Sequence, residues 1–218
     1  MHIGEGILTA TRGGQGALLA GTVAAAAGTM IGLRRLHEDQ IPKAAVLGSA
    51  FFVASAIQVP IGNGMSVHLV LSGLMGLVLG WAIFPTVLVG LTLQLVFFSI
   101  AGPTVLGINT LIMALPGVIC HYLFRWSVCS DRRWVVFASG FGAGSIALFL
   151  GALLSSAAMV LAGRPFVVLA GLFLAAHLPV AVVEGMVTGS VVVLLRQVRP
   201  EVLRATALIP MAHEVGDG

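Results

Sequence analysis

The chain has 218 residues, of which 58% are A, V, I, L, M, F, W, Y or C and only 9% are charged, against about 25% in an ordinary soluble domain. Eleven basic and eight acidic side chains cannot cover a water-facing surface of this size, and a mean hydropathy of +1.07 argues against a soluble enzyme, a disordered chain and a nucleic-acid-binding module. The formal charge of +3 therefore reports which loops of a polytopic membrane protein face the cytoplasm, rather than a polyanionic partner.

In chain order, residues 1–13 form a polar N-terminal segment. No basic stretch precedes an apolar core there, and Arg12 follows the first polar residues, so a removable signal peptide is not expected. His2 is too bulky for the usual removal of Met1, which is expected to stay. A bilayer core of about 30 Å takes about 20 apolar residues per helix. Seven apolar runs follow: 14–33, 42–61, 66–81, 84–101, 104–126, 134–163 and 165–195, with 196–218 as a tail. The third run is short and the last two are long. The spacing predicts an all-α polytopic membrane protein with seven transmembrane helices in a single domain. Glycine pairs four residues apart (Gly28/Gly32, Gly76/Gly80, Gly140/Gly144, Gly185/Gly189) let helix backbones approach closely and are expected to pack helices within the chain.

The basic residues orient the bundle. Arg34, Arg35 and Lys43 lie between runs one and two, Arg125, Arg132 and Arg133 between five and six, and Arg196, Arg199 and Arg204 after run seven. Alternating helices put all nine on one side and only Arg12 and Arg164 on the other. The positive-inside rule then predicts an outer N-terminus and a cytoplasmic C-terminus. Lys43 is the only lysine and lies in Ile41-Pro42-Lys43-Ala44, so the chain has no GxxxxGK[ST] phosphate loop. Any ATP used in transport is hydrolysed by another subunit. Cys120 and Cys129 form no CxxC or Cys/His ligand cluster and read as small buried hydrophobes.

Topology sorts the six histidines. His37 and His213 fall in cytoplasmic polar stretches, and His121 beside Tyr122 near the inner end of run five reads as a packing residue. His177 lies inside run seven, two turns before Glu184 on the same face; such groups at membrane depth read either as functional or as an internal pair or an interface with another subunit. His2 and His68 differ: both are predicted on the outer side, His68 just after the uncharged stretch Val59-Pro60-Ile61-Gly62-Asn63-Gly64-Met65. Irregular backbone at membrane depth is tolerated where it lines a cavity. A free Met1 amine, the His2 backbone nitrogen and His2 Nδ1 can form fused five- and six-membered chelate rings, leaving a fourth corner for His68. Tetragonal nitrogen coordination suits Ni(II) or Cu(II), with Co(II) close in affinity. A Met-His start is common, so the spacing alone leaves the ordinary reading open.

The opening Met1-His2-Ile3-Gly4-Glu5-Gly6 resembles the MHIxEG start of the CbiM/NikM family, the substrate-capturing membrane components of energy-coupling-factor cobalt and nickel importers. Val59-Pro60-Ile61-Gly62-Asn63-Gly64-Met65-Ser66-Val67-His68-Leu69 is similar to the family's VPIPGGTSVHL, and Leu106-Gly107-Ile108-Asn109-Thr110 to its LGAN segment. The resemblance covers roughly residues 1–125. It implies a seven-helix fold with the N-terminal segment tucked into its centre, and a transported Co²⁺ or Ni²⁺ held by the Met1 amine, the His2 backbone nitrogen, and the His2 and His68 imidazoles. It further implies a transmembrane coupling protein of the CbiQ/NikQ type, a cytoplasmic ATPase of the CbiO/NikO type, a small accessory subunit of the CbiN type, and a bacterial inner-membrane location. Gly62-Asn63-Gly64-Met65 departs from PGGT, and many cobalt members carry SCSHPTG instead, which leaves the choice of metal open. Two other readings stand beside it: a self-sufficient proton-coupled carrier relaying through His177 and Glu184, and an assembly subunit without a ligand.

Overall fold

The computed structural model describes residues 2–4, 6–9, 11–62, 65–100 and 102–207. The first helix, α1 (Arg12–Arg34), starts where the Thr11 side chain accepts the Gly14 N–H at 3.1 Å, which satisfies one of the amides that a helix start leaves open. Its buried stripe is made of Gly14, Gly21, Ala25, Gly28 and Gly32, while Leu19, Val23, Met30 and Leu33 face outward. An apolar outer face with a small-residue inner face is the pattern of a helix packed in lipid. After α2 (Ile41–Ala56), strands β1 (Val59–Gly62) and β2 (Met65–Val67) form an antiparallel hairpin with Val59 opposite Val67 and Pro60 opposite Ser66.

Next come α3 (Ser72–Leu79), α4 (Ile83–Phe98), α5 (Leu106–Phe124), α6 (Arg133–Ala162), α7 (Val167–Val198) and the short α8 (Pro200–Ala207). Helices α1 to α7 follow the seven apolar runs in order. Among the described residues, five segments are long and apolar enough to cross a membrane: Arg12–Arg34, Ser72–Phe98, Pro103–Phe124, Arg133–Ala162 and Arg164–Val198. The run 66–81, expected to be helical throughout, differs most. Its first residues belong to β2 and a turn, and the helix that follows has only 8 residues, about 12 Å of rise. Leu71 at φ +58° stands before its start, and Gly80 at φ +54° ends it. That second angle lies in a region where glycine escapes the steric penalty of a Cβ.

Every residue of α3 is buried, so this short helix is the core around which α5 and α6 pack. The expected glycine contacts are present. A Cβ on Gly140 would lie 2.8 Å from the Gly189 Cα, and one on Gly144 would lie 2.7 Å from the Glu184 carbonyl oxygen, which locks α6 against α7. Gly76 meets Gly117 of α5, and Gly28 and Gly32 of α1 meet Phe84 and Trp81. Gly80 is the exception, since it interrupts a helix.

One end of the bundle gathers aromatic and basic residues. Tyr122 Oη accepts hydrogen bonds from Trp81 Nε1 at 2.9 Å and Arg35 Nη1 at 3.4 Å, and the Arg125 guanidinium lies 5.2 Å from the Tyr122 ring centre. Arg196 donates to Asp131 and to the Cys129 carbonyl oxygen. Arg35 thus ties the end of α1 to α5, and Arg196 ties the end of α7 to the loop that follows α5.

Candidate metal centre

Residues 2–4 have no regular structure and are held by the fold around them. His2 and Ile3 are buried. Ile3 donates its N–H to Asn109 Oδ1 at 3.0 Å, and Asn109 Nδ2 donates to the Ile3 carbonyl oxygen at 3.2 Å. One carboxamide on α5 therefore satisfies both backbone groups of Ile3, which a buried chain requires. The apolar side chains of Ile3 and Leu8 join the core cluster.

His68 sits in the connection between β2 and α3 and is buried. Its Nδ1 lies 3.0 Å from the Leu69 carbonyl oxygen. Only an N–H can donate there, so the proton sits on Nδ1 and the lone pair on Nε2. That Nε2 lies 2.9 Å from His2 Nδ1, with the ring centres 4.7 Å apart. With metal–nitrogen bonds of about 2.0 Å, as for metal-bound histidine, cis donors of a square plane stand about 2.8 Å apart. The two nitrogens thus already hold cis spacing, across a hydrogen bond in which His2 Nδ1–H donates to His68 Nε2, and Nδ1 is the nitrogen that the expected fused chelate would use. In the segments without regular structure before α1 and α3, outside the spanning helices, burial holds both imidazole pKa values well below 6.5. Both rings are neutral at pH 7, the form that binds a cation.

Three further polar side chains surround the pair. Gln58 Nε2 lies 3.5 Å from His2 Nδ1, and Gln58 Oε1 accepts from Ser66 Oγ at 2.9 Å. Gln94, fully buried on α4, donates to the Phe52 carbonyl oxygen and to Ser55 Oγ, and is a polar neighbour of the His2 ring. Partners that orient ligating histidines in this way tune metal sites.

The sequence-predicted residues divide accordingly. His2 and His68 meet. Met1 lies outside the described residues, as does His213. His37 is exposed, and His121 is buried beside Tyr122. His177 and Glu184 do not pair: His177 Nδ1 donates to the Phe173 carbonyl oxygen at 2.7 Å, and Glu184 Oε2 accepts the Val70 N–H at 3.0 Å. Among the described residues no group of three or more His, Cys, Asp or Glu side chains comes together. Gln58 and Gln94 are not among the residues that the motifs point to. The signal was available, because an amide side chain within an apolar run is expensive in lipid and marks a polar interior. An open cleft of about 470 Å³ between α2 and α4 is lined by residues such as Leu36, Phe52, Val53, Pro85 and Leu93, and no histidine, cysteine or carboxylate lies among its described lining residues.

The family model described as "Cobalt uptake substrate-specific transmembrane region" matches residues 2–202. A protein of Haemophilus influenzae described as a "putative metal transport protein" is 44% identical over 94% of this chain and 98% of its own length. The fused nickel transport protein NikMN of Rhodobacter capsulatus is 31% identical over 48% of this chain and 32% of its own length. The fold matches the crystal structure of a truncated transition metal transporter with a TM-score of 0.72 and 21% identity, covering 90% of this chain and 99% of that one.

Proposed function

The chain belongs to the CbiM family of cobalt-uptake substrate-specific transmembrane regions, and from that membership we propose that it is the membrane subunit that captures Co²⁺ or Ni²⁺ for an ATP-driven importer. The observation that carries this reading is the 2.9 Å approach of His2 Nδ1 to His68 Nε2, with Asn109 holding the segment that begins at the N-terminus. The donor set is the Met1 amine, the His2 backbone nitrogen, His2 Nδ1 and His68 Nε2, four nitrogens for one divalent cation. In a square plane the fused chelate places the amine next to the amide nitrogen and the amide nitrogen next to Nδ1. His68 then takes the corner beside Nδ1, where cis spacing is required.

Capture occurs at the outer face of a seven-span bundle forming one transmembrane domain, with the basic end in the cytoplasm of a bacterial inner membrane. The gathering of Arg35, Arg125 and Tyr122 at one end supports this placement. With one lysine and no phosphate loop, the subunit works with a transmembrane coupling protein and a cytoplasmic ATPase, and an accessory membrane subunit completes the complex. A proton relay through His177 and Glu184 is not favoured, because each is tied to a backbone partner of its own. Elemental analysis and titration of the purified subunit test the proposal. One Ni²⁺ or Co²⁺ per chain, bound without the ATPase, is expected; a protein that binds neither ion contradicts it.

A further inference from the structure

Glu184 is a carboxylate on a long membrane helix with no exposed surface, where an ionisable group has to be compensated. Its compensation comes from the start of α3. That helix begins without a side-chain cap of its own, and Leu71 before it sits in the left-handed region at φ +58°. Such a conformation persists only where the surroundings hold it. Glu184 Oε2 accepts the Val70 N–H at 3.0 Å, and the N–H groups of Leu71 and Ser72 turn toward the same carboxylate. A remote acid thus replaces the missing cap, at the end of α3 where the helix dipole favours negative charge. The turn it holds also carries His68. Val70 follows His68 by two residues, and the Leu69 carbonyl oxygen between them fixes the His68 ring tautomer. The His177 imidazole on the same helix is bound elsewhere, to Phe173, so this contact is specific to Glu184.

We propose that Glu184 is a positioning residue for the captured metal: by holding the 69–72 turn from α7, it sets where His68 Nε2 stands relative to His2 Nδ1. The inference rests on the metal site proposed above. Only the acceptor oxygen is required, so the amide of Gln, with its carbonyl in the same place, substitutes for the carboxylate. Asp sets its oxygens back by one methylene and does not reach.

The test compares Glu184→Ala, Glu184→Asp and Glu184→Gln in the purified full chain by Ni²⁺ and Co²⁺ titration, by the visible d–d absorption of the Ni²⁺-loaded protein, and by thermal melting. Loss of an outer partner in metal sites weakens binding about 10–100-fold. That loss, with a shifted d–d band, is expected for folded Ala and Asp variants, while Gln keeps the affinity and band of the unmodified chain. Folded Ala binding like the unmodified chain overturns the proposal, and so does loss of binding in a folded Gln variant. If the Ala variant fails to fold, Asp and Gln decide: weakened Asp beside intact Gln supports the proposal, and intact Asp overturns it. The unmodified chain and His68→Ala are titrated alongside. No binding by the former, or none lost in the latter, defeats the site itself. Both behaving as proposed beside an unaffected Glu184→Ala defeats only the role of Glu184.

Discussion

Asn109 and Ile3, 106 positions apart, are joined by two hydrogen bonds, the Ile3 N–H to Oδ1 at 3.0 Å and Nδ2 to the Ile3 carbonyl oxygen at 3.2 Å. A carboxamide reproduces the donor–acceptor pair of a neighbouring strand, so a segment too short to form structure alone is fixed at one register. His2 is the adjacent residue, and its ring position depends on that register.

Asn109→Ala removes both bonds. A buried backbone group left without a partner costs about 1–3 kcal/mol, and a terminal segment can escape that cost by leaving its place. The loss then falls on metal affinity more than on stability, because only the docked fraction binds. Ni²⁺ affinity is expected to drop at least about tenfold, the equivalent of 1.4 kcal/mol, with a small change in melting temperature. Unchanged affinity by competitive titration contradicts the clamp.

His2→Ala and His68→Ala each remove one imidazole of the proposed site, so both are expected to weaken Ni²⁺ and Co²⁺ binding by orders of magnitude while the apolar helices still fold. His37→Ala is expected to change nothing, since His37 is exposed in the loop between α1 and α2. His177→Gln is likewise expected to keep equilibrium binding. A folded His177→Gln protein that has lost the metal places that residue in the site instead.

The sequence made much of this legible, for physical reasons. Lipid demands continuous apolar runs, and these located α1 to α7 in order; glycine spacing anticipated the tight contact between α6 and α7. The pairing of His2 with His68 followed from chelate chemistry and the MHIxEG and SVH motifs. The truncation of the run 66–81 was hidden, because apolar hairpin residues such as Val59 and Val67 have the composition of a buried helix, and the positive φ of Leu71 has no glycine to announce it. The partner of Glu184 was hidden too. It lies 114 positions away on a backbone amide, and no side-chain pattern records such a contact. Its seven-residue spacing from His177 suggested a pair, yet each side chain turns to a different backbone group.

Proton release tests the backbone nitrogen as a donor. Both buried imidazoles are held well below 6.5 by desolvation, so they are already neutral at pH 7 and contribute little to the count. The peptide N–H of His2 must lose its proton at any pH if its nitrogen binds. Calorimetry of Ni²⁺ binding in buffers of different ionisation enthalpy is expected to show about one proton released even at pH 9, where the α-amine with its reference pKa near 8 is already neutral. A count of zero there removes the amide nitrogen from the site.

The orientation rests on the basic end. A reporter fused after Gly218 is expected to read cytoplasmic, in keeping with nine of the eleven basic residues on that side. A fusion active only outside the cytoplasm overturns the topology and with it the outer position of the site.

The central claim is that the α-amine of Met1 is itself a ligand, and one titration addresses it. Adding a single residue before Met1 turns that amine into an amide and breaks the fused rings, since a histidine at the third position needs a different chelate with two amide nitrogens. Ni²⁺ titration of this extended protein beside the unmodified chain, with melting curves to verify folding, is expected to show binding weakened by orders of magnitude. If the folded, extended protein binds Ni²⁺ as tightly as the unmodified chain, the amine is not a ligand and the four-nitrogen site is wrong.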